Sequence, residues 1–382
     1  MIPTFEKEQM IMKFIDSFGS IVRDIPPQNG NPRNSEGAFL TLSDGGILFA
    51  YSRFKGNDFT DCASADICVL YSYDGGQTFD DGRVILTCED EKAVNIMSLS
   101  LLNMQNGDIG LFYLVRSTYS IMRMYLRRSS DQGKSWSDRI LCTPQEGFFV
   151  VNNDRVVRLS SGRLIIPAAV HRKGYQETPD EVGDGYFDSR AENMFFISDD
   201  DGRVWRAAWD KCVLSAPGCC QSGLQEPGVI ELLPGVLWGW ARTDLGRQYE
   251  MFSFNGGENW TSPQPARFTS PNSPLSMKRG GDGKLYAVWN PVPLYIGRSD
   301  KVNGVWNGGR APMVIASSAD NGTNFSEPVA FETDEECGYC YCALHFTEDS
   351  LLMAYCAGGV NDGACLTRTR IRRVSLEELS SI

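Results

Sequence analysis

The chain has 382 residues, 42% of them apolar, with 38 glycines and a formal charge of −12 from 48 acidic and 36 basic residues. That composition belongs to a globular chain with a sizeable core and excludes disorder, while the acidic balance excludes a non-specific grip on a nucleic-acid backbone. Any anionic ligand must be held by a local cluster of arginines.

At the amino terminus Glu6, Lys7 and Glu8 interrupt the apolar run that a secretion signal needs. Stretches such as Val236 to Ala241 are too short to span a bilayer, so no membrane association is expected. Twelve cysteines, two of them adjacent at Cys219 and Cys220, suit reduced thiols and a cytoplasmic protein. Along the chain, short alternating apolar runs at Gly46 to Ala50, Ile67 to Tyr71, Leu164 to Ala168, Val236 to Ala241 and Leu351 to Tyr355 read as strands. The end, around Leu376 to Leu379, reads as a short helix or tail.

One unit recurs between these runs. Ser72-Tyr-Asp74-Gly-Gly76-Gln-Thr78-Phe79 returns as Ser129-Ser-Asp131-Gln-Gly133-Lys-Ser135-Trp136 and as Ser198-Asp-Asp200-Asp-Gly202-Arg-Val204-Trp205. Looser copies are Ser253-Phe-Asn255-Gly-Gly257-Glu-Asn259-Trp260 and Ser318-Ala-Asp320-Asn-Gly322-Thr-Asn324-Phe325. The chemistry is that of a turn: Asp or Asn accepts backbone amides, Gly takes a positive φ, and the closing aromatic packs between sheets. The pattern resembles the Asp box of the sialidase superfamily. The copies lie about 62 residues apart on average, so the chain has room for about six such units. The expected fold is therefore all-β, a six-bladed β-propeller of four-stranded antiparallel blades forming one domain over 1–382. It would have a short lead at 1–28 and a short tail at about 374–382. The blade without a box would be closed by joining the two chain ends.

The resemblance also implies a site. Sialidases bind a sugar carboxylate with three arginines, use a tyrosine made nucleophilic by a glutamate, and protonate the leaving oxygen with an aspartic acid. By position, Asp61 in the loop Lys55 to Ala65 matches the acid, with Asp58 as rival. It follows Arg53, which ends a strand and joins the substrate-binding set. Glu226, five residues before Glu231-Leu232, matches the glutamate, and Arg242 ends the next apolar strand. Tyr341 in Tyr341-Cys342-Ala343-Leu344 matches the nucleophile, with Tyr339 as runner-up, and Arg310 precedes the strand entering the last box. Arg33, twenty residues before Arg53, matches the first arginine, although the family's Arg-Ile-Pro is lost and Glu36 is new. Where relatives carry a glycine-rich loop this chain has Asn152-Asn153-Asp154-Arg155, making Asn153, Asp154 and Arg155 possible substrate contacts.

Other signals are bland. His171 and His345 are the only histidines, and Cys337-Gly-Tyr-Cys340 has no second pair to build a zinc site with, so no metal and no cofactor are expected. The basic run Arg368 to Arg373 reads as a solvated strand face. The resemblance implies an exo-acting retaining glycoside hydrolase whose partner is a sialylated or related glycan. The alternatives are a glycosidase for another acidic or neutral sugar, or a non-catalytic glycan-binding propeller.

Overall fold

The architecture follows from the turn units. In this computed structural model, which describes residues 13–14, 18–118, 120–173, 187–215, 218–295 and 297–382, each box serine is the last residue of a strand. Its hydroxyl donates to the acid or amide two residues on and accepts the amide of the box glycine four residues on, at 2.8–3.0 Å for that second bond. All five glycines have φ between 79° and 89°, a region closed to residues bearing a Cβ except at a cost. The turn therefore ends one strand and starts the next at a fixed angle. Glu6, Lys7 and Glu8 lie outside the described residues.

The strands assemble into antiparallel four-stranded sheets in chain order. Asn34–Thr41, Ile47–Phe54, Ala65–Ser72 and Arg83–Leu86 make the first. Asn95–Asn103, Ile109–Arg116, Met122–Ser129 and Ile140–Leu141 make the next. Phe148–Val150 links that sheet to Leu164–Lys173, Phe187–Ser198 and Arg206–Cys212, giving one continuous nine-stranded hydrogen-bonded system. Gln225–Leu233 to Gln264–Thr269 and Ser276–Arg279 to Val329–Glu332 follow, the second edged by a parallel pairing with Lys13–Phe14. In the last sheet Cys340–Phe346, Ser350–Cys356 and Thr369–Ser375 are completed by Ser20–Ile25 from the start of the chain. That pairing covers an edge that would otherwise expose unpaired amides.

Apolar clusters fill the spaces between neighbouring sheets. Trp205 packs edge-on to Phe112 at 6.1 Å, placing a box aromatic against the preceding sheet. The basic run differs from expectation: Arg372 is buried, where its guanidinium donates to Tyr355 Oη, Glu332 Oε1 and the Phe18 carbonyl. Arg370 joins it on Glu332. A buried arginine is tolerable here because its donors are so well met. The only α-helix among the described residues is Leu376–Ser380, capped by Ser375 and Glu378, and no helix is long and apolar enough to cross a membrane.

Candidate active site

The first strand of several sheets breaks its pairing at the same end of the molecule. Register shifts fall between Ser35 and Ala38, Met97 and Ser100, Gln225 and Gly228, and Cys340 and Ala343. Inside these bulges sit Glu36, Ser98, Glu226 and Tyr341, with φ of 59°, 56°, 46° and 57°. A positive φ is costly for each of these residue types and needs surrounding structure to hold it. A bulge also re-aims a side chain away from the pleat. Here all four line one cavity of 340 Å³, together with Asp61, Arg116, Asn152, His171, Gln225 and Arg242. Its apolar wall is formed by Met97, Leu114, Met122, Phe148 and Val150.

Tyr341 Oη donates to Glu226 Oε1 at 2.9 Å. Burial, then the Glu226 charge, push the Tyr341 phenol well above its ordinary value, against the opposing pull of Arg242 and Arg310. Arg242 brackets Glu226, with Nη2 at 3.0 Å from Oε1 and Nε at 3.0 Å from Oε2, and its Nη1 donates to the Asn272 carbonyl. Arg310 donates to that same carbonyl and to Cys340 Sγ, at 3.1 and 3.0 Å, and its guanidinium lies 5.5 Å from the centre of the Tyr341 ring. Burial alone would raise the Cys340 thiol, yet contacts from Cys356, Cys365 and Arg310 hold it well below the usual range.

Arg33 is 1% exposed and stacks over Phe54 at 4.3 Å. It donates to Asp61 Oδ1 at 2.6 Å, Glu36 Oε1 at 2.9 Å, Ser35 Oγ and the Phe59 carbonyl. Arg116 donates to the Asp61 carbonyl, so two arginines fix the loop that carries this acid. The Asp61 side chain is still 64% exposed and faces the cavity. Burial would raise its carboxyl, but the charge and hydrogen bond of Arg33 outweigh it and hold the group below its ordinary value. Burial raises Glu36 to about 7 despite Arg33.

Residues 64–353 match the BNR repeat-like domain. This chain belongs to that family. The BNR-repeat chain is also similar in fold to solved structures. One is a Dyadobacter fermentans protein of unknown function, with a TM-score of 0.67 at 16% identity over 93% of this chain and 99% of that one. Another is the NanB sialidase of Streptococcus pneumoniae, with a TM-score of 0.66 at 13% identity over 94% and 71%. A third is the leech intramolecular trans-sialidase, with a TM-score of 0.67 at 15% identity over 96% and 71%. At such identities the likeness is one of fold. Among curated proteins none matches this chain.

Within this BNR-repeat site, the structure brings Asp61, Glu226, Tyr341 and Arg242 to one cavity and sets Arg33 and Arg310 directly behind it. Asp58 instead closes a local turn with Thr60 and does not line the cavity. Tyr339 is buried against Tyr355 in the core. Arg53 also stays outside, on the strand face it shares with Tyr51. Asn153, Asp154 and Arg155 do not line this cavity. Asn153 donates to the carbonyls of Gly37 and Tyr341, Asp154 accepts from Lys278 and the Leu344 amide, and Arg155 donates to the Leu275 carbonyl. They tie sheets together, and their neighbour Asn152 is the one that lines the cavity. Sequence reasoning missed Ser98, Arg116, Asn152 and Gln225 as lining residues. No motif marks them: Ser98 is aimed by a bulge, and Arg116, Asn152 and Gln225 reach the cavity only through the way the strands and the loop after Val150 come together. His345, by contrast, stacks on Phe39 and bonds Thr41, away from the site. Asp66, Cys88 and Glu89 group their ligand atoms, but the Lys55 ammonium already lies 2.9 Å from both carboxylates.

Proposed function

We propose that this chain is an exo-acting retaining glycoside hydrolase of the sialidase type, carried on a six-bladed propeller in which Phe148–Val150 joins two blades. The observation that carries the reading is the 2.9 Å hydrogen bond from Tyr341 to Glu226 inside a cavity that Asp61 also lines. A volume of 340 Å³ lies at the low end of small-molecule sites, which suits one terminal sugar rather than a polymer. Because the phenol is held above its ordinary value, a free phenolate is not the attacking species. The Tyr341 oxygen attacks the anomeric carbon as its proton passes to Glu226, and Asp61 gives a proton to the departing oxygen. Water then attacks the tyrosyl-glycoside, Asp61 takes its proton, and Glu226 returns the other proton to Tyr341. Arg242 keeps Glu226 oriented throughout.

The partner is a glycan, and family resemblance points to a terminal sialic acid. A second reading, a sugar with no carboxylate on the anomeric carbon, is favoured by the hold of Glu36 on Arg33. The test is turnover of methylumbelliferyl glycosides, with product configuration followed by NMR and the Tyr341 peptide weighed after trapping with fluoro-sugars. Retention and a labelled Tyr341 are expected; inversion, or a label elsewhere, refutes the reading.

A further inference from the structure

The arginines at and behind this cavity give most of their terminal donors to the protein itself. Arg33 gives Nε to Ser35, Nη1 to Asp61 and the Phe59 carbonyl, and Nη2 to Glu36. Arg242 gives Nη2 to Glu226 and Nη1 to the Asn272 carbonyl, and its Nε lies 3.0 Å from Glu226 Oε2. Arg310 spends its two terminal nitrogens on Cys340 and Asn272, and Arg116 holds the Asp61 carbonyl beneath Phe148. Three carboxyl groups, Glu36, Asp61 and Glu226, line the same cavity. A fourth, brought in by a ligand, would enter among those three, while the two cations that line the same cavity, Arg242 and Arg116, already engage Glu226 and the Asp61 carbonyl. Like charges a few ångströms apart in a partly desolvated site repel strongly.

Glu36 is the residue that makes this so. It is buried, it occupies a positive-φ bulge equivalent to those of Glu226 and Tyr341, and it spans the cavity floor from Arg33 to the Ser98 hydroxyl, at 2.9 and 3.0 Å. Strain of this kind is kept where the side chain must point to one place. Its carboxyl fills the Arg33 face whether or not it carries a proton, and offers acceptors that suit sugar hydroxyls.

We propose that Glu36 is a specificity residue that excludes sugars with a carboxylate on the anomeric carbon, so that the substrate is an uncharged glycoside whose hydroxyls donate to Glu36. This rests on the retaining glycosidase reading above.

The test uses the intact protein at mildly alkaline pH and compares binding of DANA, an unsaturated carboxylated sialic-acid analogue, with its uncharged methyl ester by calorimetry. Wild type should bind the ester at least as tightly as the acid. Glu36→Ala should reverse that order and tighten the acid roughly a hundredfold. Among methylumbelliferyl glycosides, wild type should turn over a neutral pyranoside faster than the sialoside. Wild type that binds the acid more tightly than the ester, or prefers the sialoside, overturns the proposal. These wild-type measurements decide it even where Glu36→Ala does not fold. A Tyr341→Phe variant that still hydrolyses the neutral substrate would refute the retaining mechanism while leaving the acid-against-ester result standing. Neither binding nor turnover of any of these probes would overturn both.

Discussion

Tyr341 and Glu226 share a single hydrogen bond, so removing the phenol oxygen tests chemistry with little structural cost. Tyr341→Phe should lower turnover by roughly 10³-fold or more, with a melting temperature close to wild type, because Arg242 still brackets Glu226. A wild-type rate would remove Tyr341 from the reaction. Asp61 presents a different problem. Arg33 keeps it ionised in the free protein, yet a general acid must carry a proton when the leaving oxygen departs. Binding must therefore loosen that pair, and kcat/KM should rise as pH falls below neutral. Asp61→Ala should retain far more activity on an aryl glycoside, whose leaving group needs little protonation, than on a natural disaccharide. Equal losses on both would give Asp61 a positioning role only. Glu36 predicts an effect on stability. Its folded value near 7 lies above the reference of 4.5, so the native state binds the proton more tightly than the unfolded chain. The contribution is full below the unfolded value and is lost as pH rises through 7, on the order of 3 kcal/mol. Relative to Glu36→Gln, wild type should lose melting temperature across that window; parallel curves would show no such shift.

The turn unit is the element most exposed to test. Asp200 accepts the Ser198 hydroxyl and the amides of Arg203 and Val204, and Asp200→Ala should cost about 1 kcal/mol in denaturant unfolding. Gly202 should matter more. At φ 85° a Cβ would lie 2.8 Å from Leu126 Cδ2 of the neighbouring sheet, so Gly202→Ala carries both backbone strain and overpacking, about 2–3 kcal/mol. If the two variants unfold alike, the glycine serves the turn alone and not the contact between sheets. The bulges of the first strands are the complementary element: they turn single residues towards the cavity.

At the scale of the whole molecule, the first described long strand and the last seal one sheet. Arg372 reaches from that sheet to Glu332 of the preceding one and to the Phe18 carbonyl. Arg372→Ala would leave Tyr355 and Glu332 short of a buried partner, although Arg370 still reaches Glu332, and should cost about 3 kcal/mol. A surface-like loss in calorimetric unfolding, under about 1 kcal/mol, would mean that the closure does not depend on this network.

Much of the fold was legible because its signals are local. The five turn units sit within eight residues each, and a serine, an acid or amide and a glycine at fixed offsets suffice to end one strand and begin another. The order of Asp61, Glu226 and Tyr341 along the chain was readable for a related reason, since each lies near the end of a recognisable strand. What the sequence could not show is which side chains share the cavity. Asn153 to Arg155 look like a polar rim in one dimension but serve as ties between sheets, and Arg372 looks solvated but is buried. Glu36 and Ser98 carry no motif at all. Their aim is set by bulges, and a bulge exists only where one strand carries an extra residue against its paired partner. The charge balance of the site is likewise tertiary, because Arg33 meets Asp61, and Glu36 meets Ser98, only once separate segments fold against each other.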